Sequence, residues 1–167
     1  MALKADRHEL QTDISFFMNE VATRGGVAVF STAGSGAAMD SNKALVTYKA
    51  MPSGSVPAGL LLNDMVNIDQ TRQHINWHKD EIQKGGKVTL LTQGWVVTDK
   101  IYPGDVPAVG NVAYVHHSGY ISSVITAAKG QFDRSMPTNL AVGRFLSIKD
   151  EDGYAKVSIN LPNQTHQ

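Results

Sequence analysis

Two histidines four residues apart, His74 and His78, are the pair in this sequence best spaced to hold a metal ion, because on a helix they would share one face. A zinc protease needs a glutamate directly after the first histidine, and Ile75 stands there. A structural site would need further ligands such as Asp69, Asp80 or His116, and no spacing brings them to the pair. His116 and His117 are adjacent, so on a strand they would point to opposite faces. The run Asp150-Glu151-Asp152-Gly153 begins like a calcium loop. Counting from Asp150, however, the sixth position is Ala155 and the twelfth is Leu161, where such a loop needs glycine and a bidentate glutamate. Gly34-Ser35-Gly36 opens like a dinucleotide fingerprint, but its last position is Met39. A nucleophile elbow and a Walker-type loop are both absent from the sequence. The expectation is a chain with no catalytic residue, no metal and no cofactor.

Contact chemistry is better represented. Trp77 stands amid Arg72, His74, Asn76, His78 and Lys79, an aromatic anchor ringed by hydrogen-bond donors. Tryptophan and arginine dominate binding energy where protein surfaces meet. The alternative for Trp77 is that it covers the domain's own core. From Gln70 to Lys87 the basic residues exceed the acidic ones by two, enough to orient a partner without holding it. Phe16 and Phe17, near the start of the chain, join Arg72, His74, Trp77, His78 and Lys79 as the candidate interface residues.

The elements that position these residues read as strands. Short runs of valine, isoleucine, leucine, threonine and aromatic residues alternate with glycine, proline, asparagine and aspartate clusters. Leu10, Ile14, Phe17 and Val21 recur at helical spacing, whereas Ile14, Phe16 and Met18 alternate as a strand would. Extended structure is favoured, because Arg24-Gly25-Gly26 turns into Val27–Phe30 and the two runs would form a hairpin. A helix ending at Gly25 stays open. Residues 31–42 are small and polar and read as a loop. Further strands are expected at 44–48, 60–68 with a bend at Asn63-Asp64, 88–91, 95–97 and 111–115. Gly94 should mark a bulge between the runs at 88–91 and 95–97. Residues 69–87 read as a long surface excursion. Tyr102–Asp105 and His116–Gly119 read as turns, and residues 144–148 and 154–159 flank a five-residue turn.

The fold expected is therefore mainly β: a compact β-barrel or β-sandwich with an extended N-terminal arm and long surface loops. Residues 1–42 would form the arm, with its hairpin and Gly/Ser-rich loop, and residues 43–167 the β domain. The 167 residues carry 15 basic and 15 acidic side chains, so the chain lacks the positive surplus with which proteins grip nucleic acid or an acidic membrane. Cysteine is absent, which removes disulfides and thiolate chemistry. The first ten residues are too charged for a signal peptide, so synthesis in the cytoplasm without membrane passage is expected.

Three stretches carry a resemblance: GLLLNDMVNID at 59–69, QHINWHKDE at 73–81 running on to GGKVTLLTQGWVV at 85–97, and VGRFLSI at 142–148 with DGYAKVSI at 152–159. They resemble virion structural proteins of tailed bacteriophages, in particular capsid decoration, or cement, proteins. Residues 13–26 are similar to the same group. The resemblance implies a non-enzymatic protein on the outer capsid surface of the virion, made in the host cytoplasm. It also implies a homo-oligomer, a trimer rather than a dimer, that binds the major capsid protein and rivets neighbouring capsomers, with no nucleic acid or membrane partner. A tail- or fibre-associated virion component is the alternative, and a small metal-dependent hydrolase built on His74 and His78 is the remote one.

Overall fold

The computed structural model describes residues 3–31, 45–50, 52, 54–64, 68–69, 74–75, 81–82, 84–125 and 140–161. Their regular structure is almost wholly extended. The strands in chain order are β1 (Leu3–Met18), β2 (Ala22–Thr23), β3 (Val27–Phe30), β4 (Leu45–Thr47), β5 (Pro57–Asp64), β6 (Ile68–Asp69), β7 (His74–Ile75), β8 (Glu81–Ile82), β9 (Lys87–Thr98), β10 (Val112–Val115), β11 (Ile121–Ser122), β12 (Ala141–Phe145) and β13 (Ala155–Asn160), with one 3₁₀ turn at His117–Gly119. The protein is thus mainly β, as the alternation of the sequence implies.

Nine of these strands form one mixed sheet in the order β1-β4-β3-β5-β9-β13-β12-β10-β11. An additional β1–β9 pairing returns the sheet on itself, so the hydrogen-bonded circuit β1-β4-β3-β5-β9 is closed. One edge of β9 pairs with β1 from Lys87 to Thr98. Its other edge is shared: Val88–Leu91 pair with β5, and Gln93–Thr98 with β13. Twelve residues of one strand therefore belong to both parts of the sheet.

This division is mirrored in the core. Val27, Val29, Leu60, Leu62 and Leu91 join Val115, Ile121, Val142, Phe145, Val157 and Ile159 in the larger cluster. Ala28, Leu61, Val88 and Leu90 join Met18, Val46 and Ile82 in the smaller one. Consecutive residues of β3 and β5 thus face different cores, so both faces of these strands are buried. Burying a large aliphatic side chain contributes about 1.5–3 kcal/mol, so each cluster outweighs any surface ion pair in the molecule.

Residues 3–18 are extended throughout, which resolves the ambiguity between strand and helix. They do not form a hairpin with Val27–Phe30: β1 pairs antiparallel with β9 and, at Phe17 and Met18, parallel with β4, while β3 pairs with β4 and β5. The turn at Arg24–Gly25 forms, but the chain first detours through β2, which pairs with β8, and so emerges beside other strands. The expected bend at Asn63 is present as a register shift between Leu61 and Asn63 against β9. Gly94 does not break β9, whose register with β13 runs unbroken from Ala155 to Asn160, but the expected irregularity is present on its β1 edge: Leu10 is the extra residue on β1 between the Glu9–Gly94 and Gln11–Gln93 pairs, and Thr92 the extra residue on β9 before Thr12–Leu91. The expected loop at 31–42 lies almost wholly outside the described residues.

Candidate interaction surfaces

β1 positions Phe16 and Phe17. From Leu3 to Asp13 its only strand partner among the described residues is β9, and most side chains from Ala5 to Thr12 are exposed; Leu10 is 69% exposed. Phe16 is half-buried, packs on the smaller core and meets Phe30 edge to face, with ring centroids 5.4 Å apart. The two rings wall a groove of about 280 Å³ with Gln11, Asp13, Val56 and Thr92. Phe30 and Val56 are 44% and 39% exposed there, so the groove offers apolar surface to a partner. Phe17 stands opposite Leu45 and Lys87, whose ammonium lies 5.6 Å from its ring.

His74 lies in β7, opposite Asp69 of β6. Arg72, Trp77, His78 and Lys79 lie outside the described residues. The structure therefore places Phe16 and Phe17 on one strand and leaves the segment around Trp77 to be tested by experiment. Among the described residues no group of three or more histidine, aspartate or glutamate side chains is disposed to hold a metal ion.

An aromatic anchor that the sequence reading passed over is Trp95. It is flanked on both sides: His8 stacks on it from β1, with centroids 6.3 Å apart at 27°, and the Lys156 ammonium of β13 lies 3.4 Å from its centroid. The register continues this row across five strands as His8, Trp95, Ser158, Arg144 and Val112. A cation over an indole stabilises by about 0.5–2 kcal/mol and fixes the ring's orientation. Val96 is wholly buried, so its strand neighbour Trp95 must point the other way. At the end of β1, Lys4 pairs with Asp150 at 3.3 Å and covers Tyr154 at 4.1 Å.

His116 and His117 do not diverge as adjacent strand residues would. Their rings are 4.5 Å apart, because the chain leaves β10 at His116 and enters the 3₁₀ turn, with Ser118 at φ 54, where alternation no longer applies. Tyr102 covers His116 at 4.1 Å and Tyr120 meets His117 at 5.8 Å. His116 is buried, and its Nδ1 has no hydrogen-bond partner among the described residues. Burial, and secondarily the neighbouring His117, lower its pKa, against an opposing pull from Asp105. Across the turn, the Ser118 N–H donates to the Lys49 carbonyl at 2.9 Å, and the Tyr48 hydroxyl donates to the Thr23 carbonyl at 2.7 Å while accepting from the Gly26 N–H at 3.1 Å. These bonds tie the His116 loop, β4 and the Gly25 turn into one unit. The arrangement is that of a structural clasp beside broad contact faces.

Comparison with known families gives this arrangement a context. Residues 5–160 match the phage family described as structural cement protein (E217 gp24/Pam3 gp6). No curated protein matches the chain. With nearly its whole length matched, the chain belongs to the phage structural cement protein family.

Proposed function

We propose that this cement protein binds the outer surface of the phage head and stabilises the contacts between capsomers of the major capsid protein. The observation that carries the reading is the family match over residues 5–160, which makes the chain a capsid-stabilising structural protein. The arm-like strand β1 supports the finer step. It is a 16-residue element with exposed side chains along its middle, ending at Phe16 beside an open apolar groove. Such a strand can reach across a seam between subunits while its anchoring face stays on β9.

The mechanism follows from load. A head packed with genome pushes outward, so its seams need adhesive area rather than a reactive centre. A standard interface buries about 1,600 Å² in total. Joining several such contacts through one rigid molecule raises effective affinity by roughly 10²–10⁴ without any new contact type. In this reading Phe16, Phe17 and the groove form one contact, and Arg72, His74, Trp77, His78 and Lys79 form another. The even charge balance suits an outer position in which no genome is touched.

The test is to add purified protein to undecorated heads and follow their melting. Saturating protein should raise the melting temperature of the heads, and Phe16→Ser and Trp77→Ala should each weaken that rise without abolishing it. Heads that melt at the same temperature with and without saturating protein would refute the proposal.

A further inference from the structure

β4 and β10 stand near opposite ends of the strand order, and no ladder joins them among the described residues. They meet through the tip of the β10–β11 connection, His116–Tyr120. The Ser118 N–H donates to the Lys49 carbonyl, just past β4, at 2.9 Å. Gly119 lies so close to Tyr48 that a Cβ there would fall 2.7 Å from the ring, and a Cβ on Gly26 would fall 2.7 Å from the Gly119 carbonyl oxygen. The base of the tip is fixed separately. Val115 stands opposite Ile121, whose N–H donates to the Lys100 carbonyl at 2.8 Å and whose carbonyl accepts from the Tyr102 N–H at 2.9 Å. Residues 116–120 are thus pressed onto β4 and the Gly25 turn from a secured base, with Ser118 held at a left-handed φ of 54° that costs a residue with a side chain conformational energy.

His116 seats this tip. Only 5% of it is exposed, and its Nδ1 is sealed from solvent without a hydrogen-bond partner among the described residues. A neutral imidazole tolerates this by keeping Nδ1 as its unprotonated nitrogen, whereas the imidazolium must donate from both. Protonation would therefore bury a cation and an unmet donor together. The surrounding groups do not relieve it. Tyr102, from the β9–β10 connection, presents its ring at 4.1 Å, and His117 lies at 4.5 Å and opposes a second positive charge. Tyr120 meets His117 and carries the Lys100 ammonium 5.3 Å from its own ring. Asp105 attracts a proton to His116, but its carboxylate already accepts from the Ser122 and Ser123 hydroxyls and the Ser123 N–H. On the β4 side the acidic group is Glu20, whose carboxylate is held by the Thr47 hydroxyl and the Tyr48 N–H.

We infer that the His116–Tyr120 tip is a proton-operated latch: neutral His116 seats it on β4 and the Gly25 turn, and taking up a proton expels the ring and frees the tip while β9 and β13 stay paired. Burial first, and His117 second, hold the seated ring's pKa below the ordinary 6.5. Below pH 6.5 the freed form binds a proton that the seated form refuses, so the balance moves toward release by up to about tenfold per pH unit. At pH 5 the shift is up to about 30-fold, and above pH 6.5 the latch is fully seated. Release unties the β10–β11 end from β4 and lets Ser118 leave its left-handed conformation. A cement protein spreads load only while its parts move as one body, so release weakens its grip on the head. That last step rests on the proposed capsid role; the latch itself does not.

The experiment measures hydrogen exchange on the unmodified protein at pH 7.5 and pH 5, corrected for the intrinsic pH dependence of amide exchange. The Ser118 amide should lose at least threefold and up to about 30-fold of its protection at pH 5, and amides at 155–159 should keep theirs. His116→Phe, which keeps a ring on Tyr102 without a titrating nitrogen, should show equal protection at both. Unchanged protection of Ser118 overturns the inference, as does an equal loss in His116→Phe or a loss shared by 155–159. A readout free of any variant is the NMR titration of the wild type: the His116 ring and the Ser118 amide should shift with one midpoint below pH 6.5, and separate midpoints overturn the latch. Added to undecorated heads, the wild type should raise their melting temperature over bare heads more at pH 7.5 than at pH 5, and His116→Phe equally at both. An equal wild-type rise at both pH values overturns the step from latch to grip. No rise at either refutes the capsid role, while the exchange result still decides the latch.

Discussion

Gly94 is a point of close approach between β9 and β1, opposite Glu9, and Gly94→Ala tests that part of the attachment. Its φ of +144° is one that residues with a side chain rarely adopt, and a Cβ added there would sit 2.1 Å from the His8 carbonyl oxygen. The backbone strain alone costs about 1–3 kcal/mol. Relieving the clash requires β1 to lift from β9 around the Glu9–Gly94 pair, with the loss of one or two ladder hydrogen bonds at about 1 kcal/mol each. The sum is about 2–5 kcal/mol, no more than the lower end of the 5–15 kcal/mol a domain has, so the variant should still fold. At roughly 2–4 °C per kcal/mol for a chain of this size, melting should fall by about 4–20 °C. Because the clash is with β1, on the opposite edge of β9 from the Gly94–Ile159 pair with β13, the loss should be local. Hydrogen exchange should quicken at amides 4–12 and stay slow at 142–145 and 155–159, and the variant should stabilise heads less than the wild type. A variant that melts within 2 °C of the wild type with unchanged exchange along β1 would refute both the strain argument and the view of β1 as the element Gly94 secures.

Tyr48→Phe removes the hydroxyl that serves Gly26 and Thr23, leaving two backbone groups without that partner, and should cost about 2 kcal/mol in urea unfolding; an unchanged midpoint would show that the clasp contributes nothing. The buried His116 takes up its proton less readily in the folded chain than in the unfolded one, so its contribution to stability is complete above the ordinary histidine value of 6.5 and is lost as pH falls through the lower folded value. The urea midpoint should therefore drop between pH 7.5 and pH 5, and His116→Phe, which keeps a ring on Tyr102, should show a smaller drop; equal slopes would refute the assignment. Gly143→Ala would place a Cβ 1.7 Å from the Ser158 carbonyl oxygen, backbone that cannot swing aside. It should cost more than 4 kcal/mol and leave little soluble protein, and an expression level and melting temperature matching the wild type would contradict the packing of β12 on β13.

The local grammar of the chain was legible before any tertiary contact was known. Alternation marked β9, β10 and β13, the Tyr102–Asp105 turn closes with the Asp105 N–H on the Tyr102 carbonyl at 2.9 Å, and the final turn closes with the Asp150 N–H on the Tyr154 carbonyl at 2.8 Å. The family resemblance rested on the same stretches and agrees with the family match. Partner choice was not legible. β1 pairs with a strand some 80 residues away instead of its neighbour in sequence, because backbone hydrogen bonding is nearly blind to side chains and the choice is made by which faces the two cores can bury. The same limit hid the contact surfaces. Trp95 reads as core until Val96 is seen to take the buried side. Side-chain period, a property of neighbouring residues, sets which positions share a face. Which faces meet depends on hydrogen bonds and packing between distant segments, and these exist only in the folded chain.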